Sequence, residues 1–357
     1  MDMNSKLRRP FHARSRKGNI AVLGVFALVV CVGCAALAID IGFMALNANR
    51  LQRSCDSAAL AAASKLKFER KNFNINSSKD ASGNYSYNTT GTVTVTDASK
   101  VSAATEAVFI AGQNGTTIAS ANVTYPSTYR VRVEATEANS MYFARIFGIG
   151  SACITRHATA EMTPVNGVTN AAPLGLTVND YNLYGPSGTE AYKSFTLDLI
   201  VNQQDDFTQG DVIALSTDDT PSKSVSEFKN AMSGGVPKQL GTGDTVNSLN
   251  GTTSVQNAAY DGLAARLASG NTKFPIMVLP PKNQTNGTSY HVGTMAFVEL
   301  ISAKEGKTQG NNNSPTTVTL KFIPASQVDM SKFPYSLNTS ATGPGSDIYV
   351  LRLVDDL

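Results

Sequence analysis

The chain has 357 residues, 42% hydrophobic and 16% charged, with no tryptophan and a formal net charge of +3. The excess charge sits at one end. The first seventeen residues carry Lys6, Arg8, Arg9, Arg14, Arg16 and Lys17 against Asp2, and the remainder, with 24 basic and 26 acidic residues, is slightly negative. A folded part without clustered Lys and Arg lacks the electrostatic footprint of a nucleic-acid surface, so no nucleic-acid partner is expected.

After the basic leader, residues 20–39 are uncharged and mostly apolar. At about 1.5 Å per residue, a helix of that length covers the roughly 30 Å hydrocarbon core of a bilayer. A membrane-spanning helix is therefore predicted, and the basic residues before it place the amino terminus in the cytoplasm and everything after Asp40 outside. Asp40 itself falls at headgroup level and is read as an interfacial polar residue with no assigned chemistry. Two processing alternatives stand beside this reading: Ala36-Leu37-Ala38 has the A-x-A form of a signal-peptidase site, and Val32-Gly33-Cys34 loosely resembles a lipoprotein box. Against the first, the run exceeds the roughly 7 to 15 apolar residues of a signal peptide; against the second, the residues after Cys34 are apolar and helical. Beyond the membrane, Met44, Ala48, Leu51, Cys55, Ala58, Ala62 and Leu66 recur at steps of three or four, an amphipathic stripe at helical period. One continuous helix is expected from about residue 19 to about residue 71, its first half an anchor and its second half a spine. Its small alanines imply close approach to a flat surface, with Arg50, Arg53, Asp56 and Lys65 on other faces.

The segment RKGNIAVLGVFALVV…LAIDIGFMALNANRLQRSCDSAALAAA resembles the amino-terminal part of TadE/TadG-like Flp pilus-assembly proteins. The matching positions are Gly18 before the apolar helix, Asp40 and Gly42 of an Asp-x-Gly at its end, Leu51 and Gln52, and the block that opens at Asp56. The resemblance continues into YRVRVEATEANSMYFARIFGIGSACITRHATAEM, where such proteins have a strand, a short Phe-Ala-Arg-x-x-Gly helix and a final Ala-Thr-Ala strand. It implies a pseudopilin-like structural component of a tight-adherence pilus or related secretion machine, anchored by a single pass in the bacterial inner membrane with its bulk periplasmic. Other pilus-assembly or secretion-system proteins would be its partners. Two departures stand out. Cleavage between Gly18 and Asn19 would put Leu23 where prepilins carry Glu, and the Asp-x-Ser-x-Ser adhesion motif of longer relatives is absent.

Residues 72–97, rich in Asn, Ser, Thr and Gly, read as a loop or exposed hairpin. A second helix is predicted at about 99–112, lined by Val101, Ala104 and Val108. In YRVRVEAT, Tyr129, Val131, Val133 and Ala135 alternate with Arg130, Arg132, Glu134 and Thr136, as in a half-buried strand. From residue 165 the apolar runs FTLDLIV, FPIMVLP, MAFVELI, TVTLKFI and IYVLRLV, separated by turn-rich stretches, read as strands, with helices near 222–232 and 255–268. At nearly 200 residues this part can bury its own core. The expected fold is α+β, a long membrane-spanning helix packed on an antiparallel, pilin-like sheet, followed by a β-rich exported domain. The expected divisions are a basic tail 1–18, the helix 19–71, an α/β module 72–164 and the β-rich domain 165–357.

Catalytic and ligand motifs are missing. Gly306-Lys307-Thr308 imitates the end of a phosphate-binding loop, but Ile301 stands where the motif needs Gly. Cys31-Val32-Gly33-Cys34 has redox spacing, yet an apolar membrane helix would stabilise no thiolate, and small-residue packing is the simpler reading. His12 lies in the tail, and neither His157 nor His291 sits in a zinc-protease or serine-hydrolase motif. No enzyme activity, cofactor, metal or small-molecule substrate is therefore expected. The rival to a pilus component is an exported surface-binding or adhesive protein, lipid-anchored or released. Cys55 and Cys153 are the two exported cysteines, and an oxidising compartment leads us to expect a disulfide between them. One observation weighs against it: alternation in CITRHATAEM puts Ile154, Ala158 and Ala160 on one face and Cys153 on the other, although a residue at a strand's start can escape that phase.

Overall fold

The computed structural model describes residues 17–83, 85–201, 207–216, 225–249, 253–281, 288–309, 312–324, 327–337 and 347–355. The basic tail through Arg16, with His12, lies outside them. Helix α1 (Lys17–Ser64) runs uninterrupted for 48 residues, about 70 Å at 1.5 Å per residue. Its first half is bare: Val22, Leu23, Val25, Phe26, Leu28, Val29, Val30 and Val32 are 55% to 74% exposed, on a helix long and apolar enough to cross a membrane. In the second half the predicted stripe is covered, with Ala48, Leu51, Cys55, Ala58 and Ala62 buried and Met44 packed against them. The helix ends at Ser64 rather than near residue 71. From there the chain turns into strand β1 (Phe68–Lys79), which pairs antiparallel with β2 (Tyr85–Val95). Phe73 and Ile75 explain the change, since they are buried at a period of two, which only a strand presents to one side.

Helix α2 (Asp97–Gln113) starts at Thr96, whose side chain accepts the Ser99 N–H as an N-cap. It buries Ser99, Ala103, Ala107 and Ala111, whereas Val101 is 67% exposed. Ala104 and Val108 pack at the edge of this core as expected, and only Val101 falls outside it. Alanine faces alanine where α2 meets α1, and that close approach outweighs the larger area that Val101 would have buried. Beneath the two helices lie β3 (Val123–Ser127), β4 (Arg130–Ser140) and β5 (Ser151–Val168). Strands β4 and β5 pair antiparallel from Arg130↔Glu161 to Ser140↔Ser151. As the alternation predicts, Val131, Val133 and Ala135 point into the core, meeting Ile154, Ala158 and Ala160 of β5. A spine helix on an antiparallel sheet is the result.

Strand β5 is long enough to leave that core. Its last residues, Val165 and Val168, belong to a different cluster, formed with the rest of the chain. There the elements are β6 (Leu174–Thr177), α3 (Val178–Tyr184), β7 (Ser194–Ile200), β8 (Asp211–Ser216), α4 (Val225–Gly234), β9 (Leu240–Gly241), β10 (Thr245–Ser248), α5 (Thr253–Ser269) and β11 (Lys273–Leu279). They continue as β12 (Ser289–His291), β13 (Thr294–Lys304), β14 (Lys307–Gln309), β15 (Asn312–Ser314), β16 (Thr317–Phe322), β17 (Tyr335–Leu337) and β18 (Tyr349–Val354). All five predicted apolar runs contain strands, and α4 and α5 are the two expected helices, residues 222–224 lying outside the described ones. The order is β8-β6-β11-β13-β16-β7, and a parallel pairing of β7 with β8 closes these six strands into a barrel. Leu176, Leu197, Val212, Ile276, Val298 and Leu320, one from each strand, share its main core with Phe228 of α4 and Leu263 of α5. Lys321, next after Leu320, and Thr196, next before Leu197, lie half-buried and exposed on the other face.

The hairpin of β1 and β2 ties the two parts together. Phe73 and Ile75 join the barrel core, and Gly293 makes room, because a Cβ there would stand 2.3 Å from the Ile75 side chain. Arg70 is buried beside Asp347, with Nη2 to Oδ1 at 2.9 Å. Burial alone would pull the guanidinium down, but Asp347 and then Tyr349 hold it above its ordinary value. Burial likewise pushes the Asp347 carboxyl up while Arg70 opposes it, and at 2.9 Å we take the pair as ionised. Strand β18 follows directly and pairs antiparallel with β5 from Tyr349↔Pro164 to Val354↔Thr159.

Two stability predictions follow from these contacts. Ala62→Glu, at a fully buried position, should lose roughly 3 kcal/mol or more of unfolding free energy by burying an unpaired carboxylate. Lys65→Glu, which gives up only an exposed pair with Glu106 at 3.5 Å, should lose less than about 1 kcal/mol. Equal protease sensitivity in the two variants would contradict a packed spine. At the second contact, Arg70→Met should cost about 3 to 5 kcal/mol in denaturant unfolding, and Arg70→Met with Asp347→Leu should recover most of it. A double variant no more stable than the single one would show that the ion pair is not what holds β18.

Candidate functional site

The site is built where α1 leaves its bare half. Asp40 is the first residue of that helix to be buried, at 4% exposure. Its carboxylate accepts three successive backbone N–H groups: Tyr142 at 3.0 Å, Phe143 at 3.0 Å and Ala144 at 2.7 Å. These open a 3-10 turn, Ala144–Phe147, between β4 and β5. N–H groups at the start of such a turn have no partner within it, and an anion answers them. Gly148, at φ +83°, closes the turn in the left-handed region that favours glycine. The loop is further pinned by Met141 N–H to Gly150 O at 3.1 Å. Phe43, one helical turn above Asp40, sets its ring 5.4 Å from that of Tyr142. Asp40, to which the sequence assigned no chemistry, is therefore buried and tethers the helix to the loop.

A polar seam continues up the same face of α1. Asn47 Nδ2 donates to Asn139 Oδ1, Arg50 Nη2 donates to both carboxylate oxygens of Glu137, and Ser54 Oγ donates to Ala111 O at 3.5 Å. The steps of seven, three and four keep these groups aligned along one side. On the adjoining face, Gln52 Nε2 donates to Asp56 Oδ1 at 2.8 Å and to His157 O at 3.0 Å, while Leu51 is buried in the core. Of the motif positions, Asp40 bonds the loop between β4 and β5, Leu51 is buried in the core, Gln52 reaches β5, and Asp56 accepts from Gln52 within the helix itself. Gly42 differs, since a Cβ there would meet nothing within 4 Å, and no packing reason for glycine is visible. Gly18 lies in the first turn of α1.

The expected disulfide is not formed: Cys55 and Cys153 are both free thiols. Cys55 is buried, its Sγ 3.4 Å from Arg156 O, and burial, then the nearby Asp56 carboxylate, pushes the thiol up to about 11. Cys153 is exposed, as strand alternation puts it opposite Ile154. It lines an open groove of about 410 Å³ with Ile41, Met44, Ala45 and Ala48 of α1. Cys31 and Cys34 are exposed on the bare half of α1, which also contains both candidate cleavage sites. Gly306-Lys307-Thr308 leads into the short hairpin of β14 and β15, not into a helix amino terminus, so it lacks the geometry of a phosphate loop. His157 is exposed on β5. His291 is half-buried and stacks on Tyr87 of β2 at 4.8 Å. Among the described residues, no group of His, Cys, Asp and Glu stands where it could hold a metal ion. Arg70 and Asp347 were invisible as a pair in the sequence because 277 positions separate them. The Asp40 tether had a signal, a lone acid at the end of an apolar run, but its partners are backbone groups that no residue letter marks.

Residues 18–65 match a protein-family model, Tad, described as "Putative Flp pilus-assembly TadE/G-like". Comparison with curated proteins and with solved structures returned no match. The matched segment coincides with α1 almost residue for residue. The match covers the helix and not the rest of the chain: a segment similar to those of TadE/G-like Flp pilus-assembly proteins, on a helix long and apolar enough to cross a membrane.

The tether makes its own prediction. In Asp40→Ala the three N–H groups lose their acceptor, so trypsin should cut after Arg145 faster than in the parent chain. The amides of residues 142–144 should exchange faster as well. Unchanged cleavage and exchange would show that the loop holds its shape without Asp40.

Proposed function

We propose that this chain is a pseudopilin-like structural component of a Flp/Tad-type pilus assembly or secretion machine, anchored by α1 in the bacterial inner membrane. In this reading the amino terminus is cytoplasmic, and the α/β module and the β-rich domain stand in the periplasm, where they meet other proteins of the machine. One observation carries it: the segment that matches the Tad family is a single helix, bare and apolar in its first half and locked into a helix-on-sheet core in its second. Such a helix turns a membrane anchor into part of the folded body, which a plain tether or a removable leader has no need to do.

Mass spectrometry of the protein extracted from membranes should find a chain beginning at Met1. Cross-linking in the native cell should recover pilus-assembly proteins from the same membrane fraction. A soluble product beginning at Ile39, with no assembly protein cross-linked, would replace this reading with that of a released exported protein. A start at Asn19 would keep the assembly role and add pilin-type processing.

A further inference from the structure

The turn that Asp40 holds is unusually apolar for a loop between two strands. Residues 141–150 contain one charged side chain, Arg145, and no acid. Tyr142 is 64% exposed, Ile146 80%, Phe147 72% and Ile149 54%. An ordinary soluble surface scatters such residues singly, and a contiguous set marks a surface that something covers. The backbone beneath is not loose, being held by three bonds to Asp40 and closed at Gly148. The exposure is therefore built in.

The position of the turn says what covers it. Asp40 ends the apolar run of α1, so residues 142–144, hydrogen-bonded to it, lie at the height where the helix leaves the hydrocarbon. The exposed apolar surface of α1 passes this level without a break through Ile39, Ile41 and Phe43, and Phe43 touches Tyr142. Ala36, one turn below Asp40 on the same face, is half-buried where Ala35 and Ala38 are exposed, as expected if the turn extends toward the membrane side.

We propose that residues 142–149 form a second membrane contact, a foot whose side chains Tyr142, Ile146, Phe147 and Ile149 enter the interfacial layer beside α1. Aromatic rings favour that layer, and apolar side chains there gain by burial at the boundary of headgroups and acyl chains. Arg145 has the chemistry to meet a lipid phosphate while its stem lies along the apolar surface. Two contacts at one level, the helix and the foot, fix the rotation of the exported body about α1, which a single spanning helix leaves free. This inference rests on the single-pass membrane reading.

Because the chain has no tryptophan, a single introduced one reports its own surroundings. Three full-length variants are compared in phosphatidylethanolamine and phosphatidylglycerol vesicles containing lipids brominated near the glycerol end of the chains: Phe26→Trp in the span, Phe147→Trp in the foot and Val101→Trp on exposed α2. Phe147→Trp should lose most of its emission to the brominated lipid and be shielded from aqueous iodide, as should Phe26→Trp from iodide, while Val101→Trp responds to iodide alone. If bromine placed at any depth quenches Phe26→Trp while Phe147→Trp responds only to iodide, the foot is overturned and the membrane helix stands. If Phe147→Trp is shielded from both quenchers, protein and not lipid covers the turn, and the proposal also fails. If bromine at no depth reaches Phe26→Trp, the spanning reading itself falls and takes the foot with it.

Discussion

A regular helix does not hinge. Its backbone hydrogen bonds hold a straight or gently curved rod, and sharp kinks need a proline, a bulge or an inserted group. Helix α1 contains no proline, so once Leu51, Cys55, Ala58 and Ala62 are locked in the core, the direction of the bare half is set too. The core around α1 is arranged to that constraint. The sheet of β3, β4 and β5 must present a flat surface to the alanine stripe, and α2 must bring its own small residues close on the other side. The core is sealed by close approach more than by large side chains, which makes it intolerant of added volume or charge.

Two ties transmit the rod's direction to the rest of the molecule. Below, Asp40 fixes the loop between β4 and β5 to the last turn of the bare half. Above, β5 runs on past the helix core into the core shared with the barrel, where β18 pairs with it, and Arg70 with Asp347 joins the β1–β2 hairpin to the start of β18. The chain thus leaves the first core and returns to it, and the late residues 347–354 complete a sheet begun by residues 123–168.

The family match begins and ends with α1. The matched residues 18–65 combine a bare apolar half with a half packed against α2 and the sheet. Beyond Ser64, many apolar strands can fill a barrel equally well, because burial rewards area and shape rather than particular letters. The barrel is therefore the part whose residues say least about its partners.

The apolar run, the alanine stripe, the alternation of β4 and the strand-forming runs of the second half were all legible in the sequence, because each is a local periodicity that its own segment obeys. The end of α1 was misread by about two turns, since Phe73 and Ile75 reveal their period only when a partner strand and a core exist to receive them. On α2 the expected Ala104 and Val108 do pack against the core, but Val101 does not, because the narrow gap against α1 is filled by Ala103, Ala107 and Ala111. The pairing of β7 with β8 that closes the barrel, the return of β18 to β5, and the Arg70 to Asp347 contact join residues far apart in the chain, which periodicity does not report. Asp40 shows the difference most plainly. Its place at the end of an apolar run was written in the sequence, whereas its purpose depended on three backbone N–H groups a hundred residues away that only the folded chain brings within reach.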